Sequence, residues 1–128
     1  MKIVVDASAL LAVLLEEPDA DWFESRLREA DCIWLSPVNW WEVNARIERL
    51  HGANGIARAA IWMDALGVQV EPITIEDARI ALAASTRFRG RPAKLNLGDC
   101  FAYALAKTKG VPLLYKGDDF KATDLTSA

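Results

Sequence analysis

Five carboxylates in this chain close or interrupt apolar stretches where folding alone has no use for an acid: Asp6, Glu42, Asp99 and the adjacent Asp118 and Asp119. Asp6 ends the run KIVV, Glu42 breaks into an aromatic helix, Asp99 opens GDCFAYALA, and Asp118 follows VPLLYKG. Carboxylates gathered from distant sequence repel one another and resist desolvation unless something positive joins them. A divalent cation is the economical joiner. Mg²⁺ and Mn²⁺ favour oxygen ligands in octahedral geometry and retain several waters. With no CxxC and a single histidine, His51, the chain is poorly supplied for zinc sites or a Ser–His–Asp triad. An acid-rich, hard-cation site suits phosphoryl chemistry, in which the ion polarises the phosphate and lowers the pKa of a bound water.

The elements that must position these acids follow from periodicity and punctuation. Buried strands are expected at 2–5, 33–35, 68–72 and 111–115, each short and rich in β-branched or apolar residues. Ser8 reads as the N-cap of a helix over 9–17 that Pro18 closes. A second helix covers 20–28. Ser36 and Pro37 open a long helix to about residue 50, stopped by Gly52 and Gly55, and a further helix runs over 56–66 to Gly67. Thr74 to Asp77 gives an acidic first turn, close to a capping box, for a helix ending at Phe88. The last helix, 97–107, is ended by Gly110, and the tail beyond Phe120 is short and polar. Strands alternating with helices predict an α/β fold of three layers: a short central parallel sheet of four or five strands with helices on both faces. In such sheets functional groups collect at the carboxyl ends of strands, which is where Asp6 and Asp118–Asp119 fall.

A chain of 128 residues is expected to form a single domain over 1–128 with a core that needs no disulfide or metal staple. No apolar run approaches the roughly 18–20 residues of a membrane span. Asp6 within the first apolar stretch and Glu16–Glu17 at its end argue against a signal peptide, so a cytoplasmic location and no membrane partner are expected. Cys32 and Cys100 then read as buried reduced thiols, and His51 as a helix C-terminal residue. The net charge of −3 does not announce a nucleic-acid binder. Basic residues are nonetheless concentrated: Arg87, Arg89, Arg91 and Lys94 lie together, with Lys107, Lys109, Lys116 and Lys121 downstream. That run reads either as a solvated face or as a surface for phosphates.

The segments VDASALLAVLLEEP, LSPVNWWE with its helical Glu42, and LNLGDCFAYALAKTKGVPLLYKGDDF resemble, in order and over essentially the whole chain, PIN domains of the VapC toxin type. The resemblance implies a PIN-like α/β fold and a Mg²⁺- or Mn²⁺-dependent ribonuclease that hydrolyses RNA phosphodiester bonds, leaving a 5′-phosphate and a 3′-hydroxyl. It also implies a cognate antitoxin that inhibits the enzyme, and a homodimer. Carried over by position, Asp6, Glu42 and Asp99 are the catalytic, metal-holding acids. The fourth is Asp118 or Asp119, with Asp118 preferred. Ser8 matches a polar residue near the first aspartate and reads equally as a phosphate contact or a simple cap. Arg87, Arg89, Arg91, Lys94 and Lys116 are the candidates for holding the RNA backbone. Trp22 and Phe23 are candidates for an antitoxin groove. Two rival readings remain: a catalytically silent PIN-like module, and a receiver-type phosphoacceptor domain. The receiver requires an aspartate at the end of a middle strand, where this chain has Ser36–Pro37 and Glu71–Pro72.

Overall fold

The computed structural model describes residues 1–88, 90 and 94–128. Among them the apolar strand signals become β1 (Lys2–Val5), β2 (Cys32–Leu35), β3 (Val68–Val70) and β4 (Leu113–Leu114), joined by helices α1 (Ala7–Leu14), α2 (Ala20–Glu29), α3 (Pro37–Ala65), α4 (Ile75–Phe88) and α5 (Leu97–Lys109). The sheet is parallel throughout, in the order β3-β2-β1-β4, with Ile3 opposite Ile33 and Val5 opposite Leu114. The two-residue alternation of side chains sorts the strands between two cores. Ile3, Val5, Ile33, Leu35 and Leu114 pack with α1, α2 and α3, through Leu10, Phe23, Leu27, Val43 and Ile47. Val4 and Leu113 point the other way, into Ala81, Ala84, Phe88, Tyr103 and Phe120 beneath α4 and α5. Ala102, Ala104 and Ala106 are buried on α5, and their small side chains let that helix lie close to the sheet. Helices therefore cover both faces, as the alternation of elements predicts.

Several local details differ from the sequence expectation. The N-cap of α1 is Asp6, whose side chain accepts from the Ser8 backbone N–H; Ser8 lies inside the helix. The preference of a carboxylate for the N-terminal amides explains why β1 passes into α1 with no intervening loop. The two helices expected on either side of Gly52 are both present and adjoin within α3 across a kink, where Gly52 takes the non-helical φ 66°, ψ −161°. β4 is shorter than expected. The polar tail runs beside it, with Leu113 N–H donating to Thr126 O at 2.9 Å and Ala128 N–H to Leu113 O at 2.9 Å. Thr74 and Asp77 do form the reciprocal cap of α4, at 2.9 and 3.1 Å. Among the described residues no helix is long and apolar enough to cross a membrane.

The conformation at Gly52 is one that only glycine occupies readily, and a Cβ there would touch nothing within 4 Å. Gly52→Ala is therefore expected to destabilise by about 1–3 kcal/mol through backbone strain alone. The check is a lowered urea midpoint with an unchanged m-value.

Candidate active site

The order in which strands are added reverses at β1: from β1 the strands proceed outward to β2 and β3, and β4 then returns to the other side of β1, still parallel to it. Open α/β sheets present a crevice at such a switch point, beyond the carboxyl ends of the strands. Asp6 leaves β1 there, and Lys116 to Phe120 leave β4. The Asp6 N–H donates to Leu114 O at 2.9 Å, which extends the ladder by one step and fixes Asp6 at the mouth. Ser8 joins the two exits. Its hydroxyl donates to Asp6 Oδ2 at 2.6 Å and accepts from the Lys116 N–H at 2.9 Å. A serine hydroxyl has one hydrogen, and here it is directed to Asp6, so Ser8 orients the carboxylate.

The remaining acids arrive from helices. Asp99 stands in the first turn of α5, where it and Asn96 form a capping box: Asp99 N–H donates to Asn96 Oδ1 at 2.8 Å, and Asn96 N–H to Asp99 Oδ2 at 3.0 Å. Glu42 projects from α3, and Asn39, one turn earlier, donates from Nδ2 to its Oε1 at 2.8 Å. Asp6, Glu42, Asp99 and Asp119 line a single cleft of about 220 Å³, with Ser8, Asn96, Lys116 and Phe120 completing its walls.

Of the adjacent pair, Asp119 lines the cleft and the preferred Asp118 does not. Asp118 is turned to solvent, its side chain 85% exposed, and pairs with Lys121 at 2.7 Å; that bond holds its carboxyl below the usual range.

Most of the candidate cations are engaged elsewhere. Lys116 borders the cleft, but its Nζ donates to Glu17 at 2.6 Å and Asp19 at 2.9 Å. Arg87 lies over Phe88 and 3.9 Å from Asp124. Lys107 also pairs with Asp124, at 2.9 Å, and Lys109 pairs with Glu71 while lying over Trp34. Lys94 is exposed and does not line the cleft. Arg89 and Arg91 lie outside the described residues.

The electrostatics are those of crowded acids. Burial raises the Asp6 carboxyl, against the bonds from Ser8, and the charge of Asp119 adds to the rise. Burial also raises Glu42, with the Asn39 bond opposing and the charge of Asp6 adding. Asp99 is pushed up to about 7, first by burial and then, against the Asn96 bond, by Asp6, Asp119 and Glu42. Each of these groups gains from a positive charge in the cleft. Among the described residues no three His, Cys, Asp or Glu side chains converge tightly enough to hold an ion unaided. An all-oxygen donor set spread over the walls nevertheless fits a hard cation. Mg²⁺ is commonly bound by one or two carboxylates and keeps several waters to fill its octahedron.

The sequence pattern of the PIN domain family matches residues 3–125. Ribonuclease VapC30 of Mycobacterium tuberculosis is 41% identical over 128 residues, spanning 98% of this chain and 97% of its own. The chain belongs to the PIN domain family, among the VapC-type members. A VapC ribonuclease of Mycolicibacterium smegmatis is 37% identical over 127 residues, 98% of each chain. The fold of this VapC-type PIN domain is also that of M. tuberculosis VapC20, a sarcin–ricin loop cleaving toxin: TM-score 0.81, 18% identity, 99% of this chain and 98% of that one. A toxin–antitoxin complex from Klebsiella pneumoniae matches with TM-score 0.78 at 16% identity, over 99% of this chain and 97% of that one.

Two residues behind the cleft wall of this PIN domain, Asn39 and Gly98, are not singled out by the sequence pattern. Asn39 is fully buried and fastens Glu42, and Gly98 O accepts its second N–H at 3.1 Å. The available signal was spacing: Asn39 precedes Glu42 by three residues and so shares its helix face.

The folded chain holds the Asp99 proton more tightly than the unfolded chain, whose carboxyl titrates near 3.8. Asp99 thus contributes stability that is fully present below that value and lost as pH rises to about 7. In chelator-treated protein the urea midpoint of the wild type is expected to fall relative to that of Asp99→Asn across this window. Asn retains both bonds of the capping box, so parallel pH profiles for the two proteins would refute the assignment.

Proposed function

We propose that this VapC-type PIN domain is a divalent-cation-dependent endoribonuclease toxin, held inactive by a cognate antitoxin. The observation that carries the reading is the meeting of Asp6, Glu42, Asp99 and Asp119, from four separate parts of the chain, in one cleft at the switch point. The names of the relatives, ribonucleases at 41% and 37% identity over nearly the full length, supply the reaction class.

Asp6 and Asp99 would hold Mg²⁺ or Mn²⁺, with Glu42 and Asp119 completing the acidic shell. When bound, the ion supplies charge neutralisation and Lewis acidity toward the scissile phosphate. The chain's own residues do the rest. Ser8 keeps the Asp6 carboxylate turned into the cleft, the capping box fixes Asp99, and Asn39 aims Glu42. The ionised carboxylates can accept a proton from an attacking water aligned for in-line displacement. Lys116, on the cleft wall, is the cation placed to meet a backbone phosphate, in competition with Glu17 and Asp19. Such contacts position RNA without reading its sequence. RNA as substrate fits a cytoplasmic site of action.

For the antitoxin, a groove of about 510 Å³ and mixed polarity runs between α1 and α3, lined by Leu14, Leu15, Ile47 and Trp62 together with Glu16, His51 and Arg58. A groove of this kind offers a partner helix both apolar and charged contacts. Phe23, expected to line such a groove, is instead core, and its neighbour Trp22 is half exposed beneath Arg26. A second copy could cover Leu82 and Leu97 on α4 and α5, 69% and 70% exposed.

Asp6→Asn, Asp99→Asn and Asp119→Asn are each expected to abolish cleavage of RNA in Mn²⁺ buffer while circular dichroism shows a folded chain. Asp118→Asn should cleave like the wild type. Mn²⁺ should raise the melting temperature of the wild type and lose that effect in Asp6→Asn. Full activity of Asp6→Asn, or equal losses from Asp118→Asn and Asp119→Asn, would overturn the site.

A further inference from the structure

We propose that Asn39 and Gly98 form a seat that fixes how far Glu42 reaches into the cleft, which makes both of them positioning residues for the cleavage reaction. The inference rests on the nuclease reading of the cleft and adds to it the device that sets one of its acids. Gly98 occupies the first turn of α5 beside Asp99, and its backbone is not in the left-handed region where four other glycines of the described chain lie. No conformational demand therefore explains a glycine there, and glycine is a weaker helix former than alanine. Space explains it. A Cβ built on Gly98 would overlap Cδ and both carboxylate oxygens of Glu42. The acid occupies the volume that any side chain at 98 would take.

Asn39 supplies the direction. Its Nδ2 donates to Glu42 Oε1 at 2.8 Å and to Gly98 O at 3.1 Å, so one amide ties the carboxylate of α3 to the first turn of α5. The amide is itself held, because Ser36 Oγ donates to Asn39 Oδ1 at 2.7 Å and the residue is fully buried. A glutamate has three side-chain torsions and would otherwise sample many positions. Here one hydrogen bond and one absent methyl group restrict it to a single lodging against the helix that carries Asp99.

The test uses the full chain with Gly98→Ala, Glu42→Asp and the two combined. Gly98→Ala is expected to stay folded, since the clash falls on the far end of a flexible side chain. It should lose about 10–100-fold in Mn²⁺-dependent RNA cleavage, the range typical when the support of a metal-site ligand is removed. In cation-free protein without RNA, the Asn39 side-chain amide protons should be protected in the wild type and exchange faster in Gly98→Ala. The shorter acid makes room for the methyl group, so the combined variant should lose less than the product of the two single losses. Wild-type cleavage by Gly98→Ala, unchanged amide exchange, or losses that simply multiply would each overturn the seat. If Gly98→Ala does not fold, adding Glu42→Ala removes the clash and should restore folding; a chain that stays unfolded shows that something other than Glu42 needs the space. A wild type that neither cleaves RNA nor responds to Mn²⁺ refutes the nuclease reading instead, and the exchange measurement still decides whether the seat exists.

Discussion

The parallel pairing of β1 with β4 is the constraint on which the cleft depends. Two residues of register, Val4 with Leu113 and Val5 with Leu114, determine where both strands end. The Asp6 N–H to Leu114 O bond and the Ser8 bridge to the Lys116 N–H then lock those ends together. A one-residue slip would carry Val4 and Leu113 out of the α4–α5 core and Val5 and Leu114 out of the opposite one. The apolar cores on the two faces thus hold the register, and the register brings Asp6 and Asp119 to a common mouth. Packing far from the cleft has a chemical consequence at it.

Around that mouth, carboxylates are buried where water would otherwise stabilise their charge. The structure offsets the cost in two ways. Backbone amides at helix starts bond to Asp6 and Asp99, and the side chains of Ser8 and Asn39 bond to Asp6 and Glu42. These bonds do not suffice, since burial still raises all three carboxyls. The remaining deficit is what an incoming cation would relieve.

Much of this was legible in the chain. Asp6 and Asp99 were found because an acid at the end of a strand or the start of a helix interrupts a strong apolar signal, and Glu42 because it breaks an aromatic run. The α/β layering followed from alternating periodicities. What could not be read is what depends on side-chain direction. Asp118 and Asp119 are equivalent as sequence, and only the loop path, with Lys121 capturing one of them, separates the pair. Asn39 looks like any polar residue beside a helix cap until Gly98 arrives from 59 residues away. The basic residues gave a charge pattern but not its partners: Asp124, Glu71, Glu17 and Asp19 absorb lysines that the pattern left available to RNA. Ser8 shows the same limit, since an N-cap and a residue bonded by the N-cap are two positions apart and chemically alike.

Asp6 and Asp99 each perform two tasks, for Asp6 caps α1 and Asp99 completes the capping box of α5 as well as lining the cleft. A PIN domain that gave up cleavage and survived as a binding partner would still need something at these positions to satisfy the helix amides, and aspartate is among the residues that serve best. Retention of these two acids is therefore weak testimony to a working enzyme. Glu42 lies in mid-helix and Asp119 in a loop, and neither holds a helix end. Loss of function across relatives should register first at those two positions, where no helix end has to be held.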